Sequence, residues 1–308
     1  MSLENRITAF DTMASRFKAT RPSKLIALHD MTPATWSNLS SAALTYLSRN
    51  LDSVETILDD KMLLDRYVAQ WDSIVTITPN GMIVPKRHTM LEYNLLVRAF
   101  AKVISALGIG DLIVSWHVPL NVRIKRGLAC ESNLKRHHPT EHIHSDSWAG
   151  ESSESVTVHL PLFGDTERNC VVFFEPPRNF EEDWLKPLPS YIAGKAIAEQ
   201  YKEVDVRAKK GQVVLADFST LHRSTRLSGA AARVSIDTTF VLRKPVSNGG
   251  ERIHPWRENE RVSPEVLDGI GETHFFVFTN TKDQQVDSAG GFKHPSSLQI
   301  IRLIPEAA

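Results

Sequence analysis

The sequence predicts a mainly β protein with flanking helices, a sheet core of sandwich or jelly-roll type joined to an N-terminal helical layer. Three observations carry this. Apolar residues recur at helical spacing through roughly the first 110 residues. From about residue 112 the pattern changes to short runs rich in valine, isoleucine and phenylalanine, separated by turn residues. Neither a G-x-G-x-x-G nor a Walker-type loop occurs in the 308 residues, which removes the nucleotide-binding α/β alternative.

The helices come first. Thr32 is placed to cap a helix that has Pro33 at its first position, with Trp36, Leu39, Ala43 and Leu47 on one face. A second helix follows from Ser53, its apolar positions including Leu58, Leu64, Val68 and Trp71. A third opens with Thr89 and Glu92 at capping-box spacing, carries a stripe of Leu96, Phe100, Val103 and Leu107, and stops at Gly108. The strand candidates are "LIVSWHV", "SVTVHLPL", "CVVFFEP", "GQVVLADF" and "ARVSIDTTFVL"; Val156, Val158 and Leu160 alternate cleanly in the second. The expected organisation is one domain over 1–308, with the helical layer at 1–110 and the core at 111–244. A proline-broken helical insertion is expected at about 179–200 and a C-terminal extension at 245–308.

Lysine plus arginine equals aspartate plus glutamate at 36 each, so no global charge draws the chain to nucleic acid or to a membrane surface. A content of 42% hydrophobic residues is enough for a substantial core. Two cysteines, Cys130 and Cys170, make no disulfide framework and suit a reducing compartment. No apolar run approaches the roughly 20 residues that span a bilayer, and the N-terminus has no secretory h-region. The expected setting is cytoplasmic, with a small-molecule partner; the oligomeric state is left open.

"TEHIHSDSWAG", residues 140–150, concentrates Glu141, His142, His144 and Asp146. A mononuclear iron site of the two-histidine, one-carboxylate kind needs three ligands on one face and open positions on the other. His-x-Asp on a strand presents two ligands together, and His144 and Asp146 have that spacing. The third ligand should come from a distant strand, and His222 follows the apolar run Val213 to Phe218. Eleven residues later Arg233 and Ser235 share a strand face. An arginine there suits the bidentate grip of a carboxylate.

His144-x-Asp146, a distant His222 and Arg233-x-Ser235 together resemble the signature of the Fe(II)/2-oxoglutarate-dependent dioxygenases. The text from "HSDSWAG" to "VVFFEPP" is similar to bacterial members of the phytanoyl-CoA-hydroxylase-like and streptomycin-biosynthesis type, and the likeness covers about 112–243. It implies a double-stranded β-helix, a cupin-like jelly roll, with iron held by His144, Asp146 and His222. It implies 2-oxoglutarate gripped by Arg233 with Ser235 or Thr225 assisting, O2 as the other co-substrate, and hydroxylation of a small metabolite with release of succinate and CO2. An amino acid, a sugar derivative or an intermediate of specialised metabolism would suit. The aspartate at 146, where halogenating relatives have alanine or glycine, argues against that branch. The "LSGA" at 227–230 departs from the asparagine often found there, so the resemblance does not extend to the substrate-side loop.

Other readings stand beside these. His142 with His144 and His222 would make a cupin-type metal site independent of 2-oxoglutarate, and a non-catalytic small-molecule-binding jelly roll is the third possibility. Trp148 either stacks on substrate or closes the end of the barrel. Asn169 either reaches the co-substrate or closes a turn. Arg123 and Lys125 share a face and either meet an anion or lie on a solvated edge. Trp116 is read as core and the "KRHH" run at 135–138 as a solvated loop.

Overall fold

A computed structural model describes residues 2–51, 56–74, 77–118, 120–128, 134, 136–242, 261–278 and 298–302. Helix α2 (Pro33–Ser48) starts as its sequence dictates: the Thr32 hydroxyl accepts from the Thr35 amide, and Leu39, Ala43 and Leu47 are buried. Helix α3 (Asp60–Ala69) begins later than expected, because Asp59 takes the capping role and accepts from Met62 N at 2.7 Å. Leu58 therefore lies outside the helix and is 77% exposed. Val68 is also exposed, while Leu64 is buried; residues 52–55 lie outside the described residues.

Helix α4 (Met90–Ala106) buries its expected stripe, and Gly108 at φ +64° turns the chain away in the left-handed region that favours glycine. The expected capping box is not formed. A 3-10 turn (Arg87–Thr89) precedes the helix, and the Thr89 hydroxyl bonds back to Lys86, accepting from its amide at 3.0 Å.

The first 110 residues also hold elements that periodicity did not disclose. Helix α1 (Leu3–Ala14) is capped by Ser2, and β1 (Thr20–Ser23) and β2 (Ile26–Asp30) form an antiparallel hairpin. This hairpin belongs to the main sheet, not to a purely helical layer. Ile26 pairs with Ala216 and Asp30 with Gln212 on β8 (Gln212–Asp217). The order runs β1, β2, β8, β5 (Ser155–Gly164), β10 (Arg233–Leu242), β3 (Ile113–His117), β11 (Arg261–Val262), and β4 (Asn121–Lys125) pairs with the first half of β10. A second, antiparallel sheet has the order β7 (Lys202–Val204), β6 (Asn169–Glu175), β9 (Leu221–Arg226).

Alternation gives the main sheet two apolar or polar faces. Val156, Val158 and Leu160 of β5, with Val234 and Ile236 of β10, join the core under α2, α3 and α4. Their neighbours Thr157, His159, Arg233, Ser235 and Asp237 face a cavity shared with Val171 and Phe173 of the second sheet. Beside that cavity the sheets meet through Val214 and Ala216 against Phe173, which also lines it, and Val204. The architecture is thus an antiparallel β core with helices packed on its outer face.

The 179–200 segment is largely irregular, with two 3-10 turns (Glu182–Leu185 and Tyr191–Gly194) and one four-residue helix, α5 (Lys195–Ala198). In the extension, α6 (Pro264–Gly269) leads to β12 (His274–Phe278), which pairs with β13 (Leu298–Arg302). Asn94 of α4 clamps β12 reciprocally: Nδ2 donates to Phe276 O and Oδ1 accepts from Phe276 N, both at 2.8 Å. Among the described residues no helix is long and apolar enough to cross a membrane.

Candidate metal centre

His144 makes an isolated antiparallel bridge to His222, each amide donating to the other's carbonyl, so the two imidazoles leave adjoining backbones. The chain stays extended through Ser145 and then turns. Ser145 caps a 3-10 turn (Asp146–Ala149), and its hydroxyl donates to Phe218 O at 3.0 Å, tying the turn to the end of β8. Gly150 at φ +96° closes it. His-x-Asp is therefore a bridge residue followed by a turn, not two positions along one strand.

The turn brings the three side chains together. Ligand-capable atoms of His144, Asp146 and His222 all lie within 4.8 Å of one another. His144 Nε2 is 3.7 Å from Asp146 Oδ1, and His222 Nε2 is 3.8 Å from Asp146 Oδ2. The His144 Nδ1–H donates to His142 O at 2.7 Å, which leaves Nε2 as the bare acceptor. That Nε2 is buried and has no hydrogen-bond partner. An orphaned buried acceptor facing a carboxylate costs free energy unless something electropositive sits between them.

The electrostatics agree. Burial, and then His222, push His144 well below the ordinary histidine value, and burial raises the Asp146 carboxyl. Both shifts favour uncharged groups, and a divalent cation reverses that preference at a carboxylate. This donor set suits such a cation. His142 stands apart: its ring points to Leu134 O at 3.4 Å and only its carbonyl serves the cluster.

Arg233 lies in the same cavity and is 2% exposed. Its Nε donates to Asn169 Oδ1 at 3.1 Å and its Nη1 to Ser235 Oγ at 2.7 Å. Among the described residues no carboxylate lies within ion-pair distance of it. Burial pushes its pKa down to about 10. A buried guanidinium without a counter-ion is expensive, so this position suits a ligand carboxylate.

The remaining expected residues divide. Ser235 lines the cavity beside Arg233. Asn169 does not line it; its Nδ2 donates to the carbonyls of Lys125, Arg126 and Ala231 while its Oδ1 holds Arg233. Thr225 is not brought to the cavity, because alternation from His222 puts Ser224 there and turns Thr225 to the other face of β9. Trp148 is fully buried in a second apolar cluster, donating to Trp184 O at 2.7 Å, and does not line the cavity.

Arg123 lines the cavity but is engaged by Asp237, Nε to Oδ1 at 2.7 Å and Nη2 to Oδ2 at 3.2 Å. Lys125 is buried, not on a solvated edge. Its Nζ donates to Thr140 Oγ1 at 2.6 Å and Glu141 Oε1 at 3.4 Å, and burial pushes it down to about 7. Trp116 is core, with its ring stacked on Phe100. In the "KRHH" run His138 is half-buried against Tyr191, and Lys135 lies outside the described residues, as does Cys130. Cys170 is buried in the second cluster.

The sequence reading missed His159, Asp237 and Tyr191. The first two were legible: His159 follows Thr157 on the non-core face of β5, and Asp237 extends Arg233-x-Ser235 by one more alternate step. Tyr191 carries no such signal.

No family model matches the chain, and no curated protein matches it. Among solved structures, AviO1 from Streptomyces viridochromogenes Tue57 is similar at 14% identity and TM-score 0.38, over 78% of this chain and 97% of that one. The non-heme alpha ketoglutarate dependent carbocyclase SnoK from nogalamycin biosynthesis is similar at 12% and 0.40, over 81% and 89%. An N-substituted L-amino acid dioxygenase from Burkholderia ambifaria AMMD is similar at 12% and 0.36, over 82% and 91%. These likenesses are weak, and the chemistry of the site has to be read from its own residues.

Proposed function

We propose that this chain is an Fe(II)- and 2-oxoglutarate-dependent oxygenase on a double-stranded β-helix, acting on a small molecule. One observation carries the reading: a three-donor cluster with an orphaned imidazole nitrogen shares a cavity with a buried arginine that has no ion-pair partner among the described residues. A metal cluster alone fits many enzymes. The second feature selects a co-substrate that can chelate at one end and present a carboxylate at the other.

His144, Asp146 and His222 would hold the iron. When bound, iron with O2 and the keto acid supplies the oxidising power that protein side chains lack, converting 2-oxoglutarate to succinate and CO2 and leaving one oxygen atom for the substrate. Arg233 binds the far carboxylate. Ser235 Oγ accepts from Arg233, so its own proton is directed elsewhere and can serve the same anion. Asn169 fixes the guanidinium plane through Nε. Arg123 is paired directly with Asp237, whereas Arg233 has no ion-pair partner among the described residues. Phe173 and Val171 keep one wall dry, and Asp146, 28% exposed, marks the side open to solvent.

Anaerobic Fe(II) reconstitution followed by 2-oxoglutarate tests the reading. A weak visible charge-transfer band requiring both components, and lost in Arg233→Ala and His222→Ala, is the expected result. Bound iron with no band on adding the keto acid would overturn the co-substrate, and failure to bind iron would overturn the metal centre.

A further inference from the structure

The ring of Tyr191 lies 4.0 Å from that of His144 with only 17° between their planes, a face-to-face stack on one of the three clustered donors. Tyr191 comes from the 179–200 segment, which the sequence marks only as an insertion. That segment is pinned here at several points. The Tyr191 amide donates to His137 O at 2.9 Å, and the Leu188 amide donates to Trp148 O at 2.9 Å. Gly194 lies so close to the Trp148 ring that an added Cβ would fall 2.4 Å from it, so only glycine permits the approach. His138 stands edge-on to Tyr191 at 4.8 Å, supporting the phenol from a further side.

His144 is thereby constrained in three ways. Its Nδ1 is fixed by the His142 carbonyl, its backbone by the bridge to His222, and its ring plane by Tyr191. A hydrogen bond at Nδ1 alone leaves the imidazole free to swing about that contact. The stack removes this freedom and keeps Nε2 aimed at Asp146. Interactions that orient a ligand in this way set metal affinity, commonly by about 10- to 100-fold.

We propose that Tyr191 is a positioning residue for the metal centre, and that the 188–194 turn is the support that lays its ring on His144. The proposal rests on the metal reading above. Loss of the stack lets the imidazole disorder and weakens cation binding before it affects the fold.

The test titrates the full-length metal-free protein with Co(II), a visible stand-in for Fe(II), in the wild type and in Tyr191→Phe, Tyr191→Leu and Tyr191→Ala. The dissociation constant and the Co(II) d–d absorption are read alongside a thermal melt. Tyr191→Phe keeps the ring and should match the wild type in both. Tyr191→Leu, which keeps bulk without a π face, should bind about 10-fold more weakly or worse, with an altered d–d envelope. Tyr191→Ala should be at least as weak. Unchanged affinity and spectrum in Tyr191→Leu, even with a lowered melting temperature, would show a merely structural role and overturn the proposal. A Tyr191→Phe variant as weak as Tyr191→Leu would overturn the stacking basis. If the wild type takes up no Co(II), the metal reading itself fails, an outcome distinct from either.

Discussion

Arg233 and Asn169 are joined by a 3.1 Å hydrogen bond from Nε to Oδ1, and the same asparagine donates to three backbone carbonyls from two other segments. Asn169 thus fastens the buried Arg233 guanidinium to β4 and to the turn before β10. Asn169→Ala removes the anchor and strands those carbonyls. It should raise the 2-oxoglutarate dissociation constant by about 10-fold and lower stability by about 1–3 kcal/mol. Isothermal titration and urea unfolding check the two effects; unchanged co-substrate affinity would separate Asn169 from Arg233.

Arg233 itself should be the more sensitive position. Arg233→Ala should weaken 2-oxoglutarate binding by about 100-fold, since charge-assisted bonds in a buried setting are worth roughly 1.5–3 kcal/mol each. Arg233→Lys should recover only part, because an ammonium cannot both hold Asn169 and fork onto a carboxylate. Equal behaviour of Lys and Arg would show that charge, not shape, is what the site uses.

Each donor of the triad should matter for cation uptake. His144→Ala, Asp146→Ala and His222→Ala should each abolish stoichiometric Fe(II) binding under anaerobic equilibrium dialysis, whereas His142→Ala, whose ring points to Leu134, should retain it. Loss of binding in His142→Ala would revive the cupin-type ligand set.

His159 gives a pH dependence. Burial, then the neighbouring Arg233, push it down to about 3, below its unfolded value near 6.5. The folded protein therefore prefers the neutral ring. This contribution is complete above pH 6.5 and is lost as pH falls from there toward 3, at up to about 1.4 kcal/mol per pH unit. Urea unfolding between pH 7 and 4 should show a steeper decline for the wild type than for His159→Asn. Parallel profiles would mean that the ring is not held neutral.

Arg6 of α1 donates to Glu182 at 2.6 Å, to Asp217 at 3.0 Å and to Ser153 O at 2.9 Å while only 1% exposed. It joins the first helix to the insertion and to the end of β8. Arg6→Ala leaves the partly buried Asp217 uncompensated and should cost about 3 kcal/mol in denaturant unfolding. A loss under about 1 kcal/mol would show that water takes over the role.

The sequence by itself determined which side chains could carry the chemistry. His144, Asp146, His222, Arg233 and Ser235 were legible because spacing along the chain is local; a period of two puts Arg233 and Ser235 on one strand face, whereas a turn, not alternation, brings Asp146 to His144. The same rule would have chosen Ser224 over Thr225 and added His159 and Asp237. It could not show which face of a strand meets the cavity, because that depends on the sheet opposite. Only the tertiary structure made Trp148 a core residue, Asn169 a brace for Arg233 and Tyr191 a stack on His144. It also placed β1 and β2 in the main sheet. Neither Thr20–Ser23 nor Ile26–Asp30 shows a clear apolar–polar alternation, and the pairing that places them, Ile26 with Ala216, joins positions 190 residues apart. Contacts of that span are set by packing and burial, which act between segments, whereas periodicity acts within one.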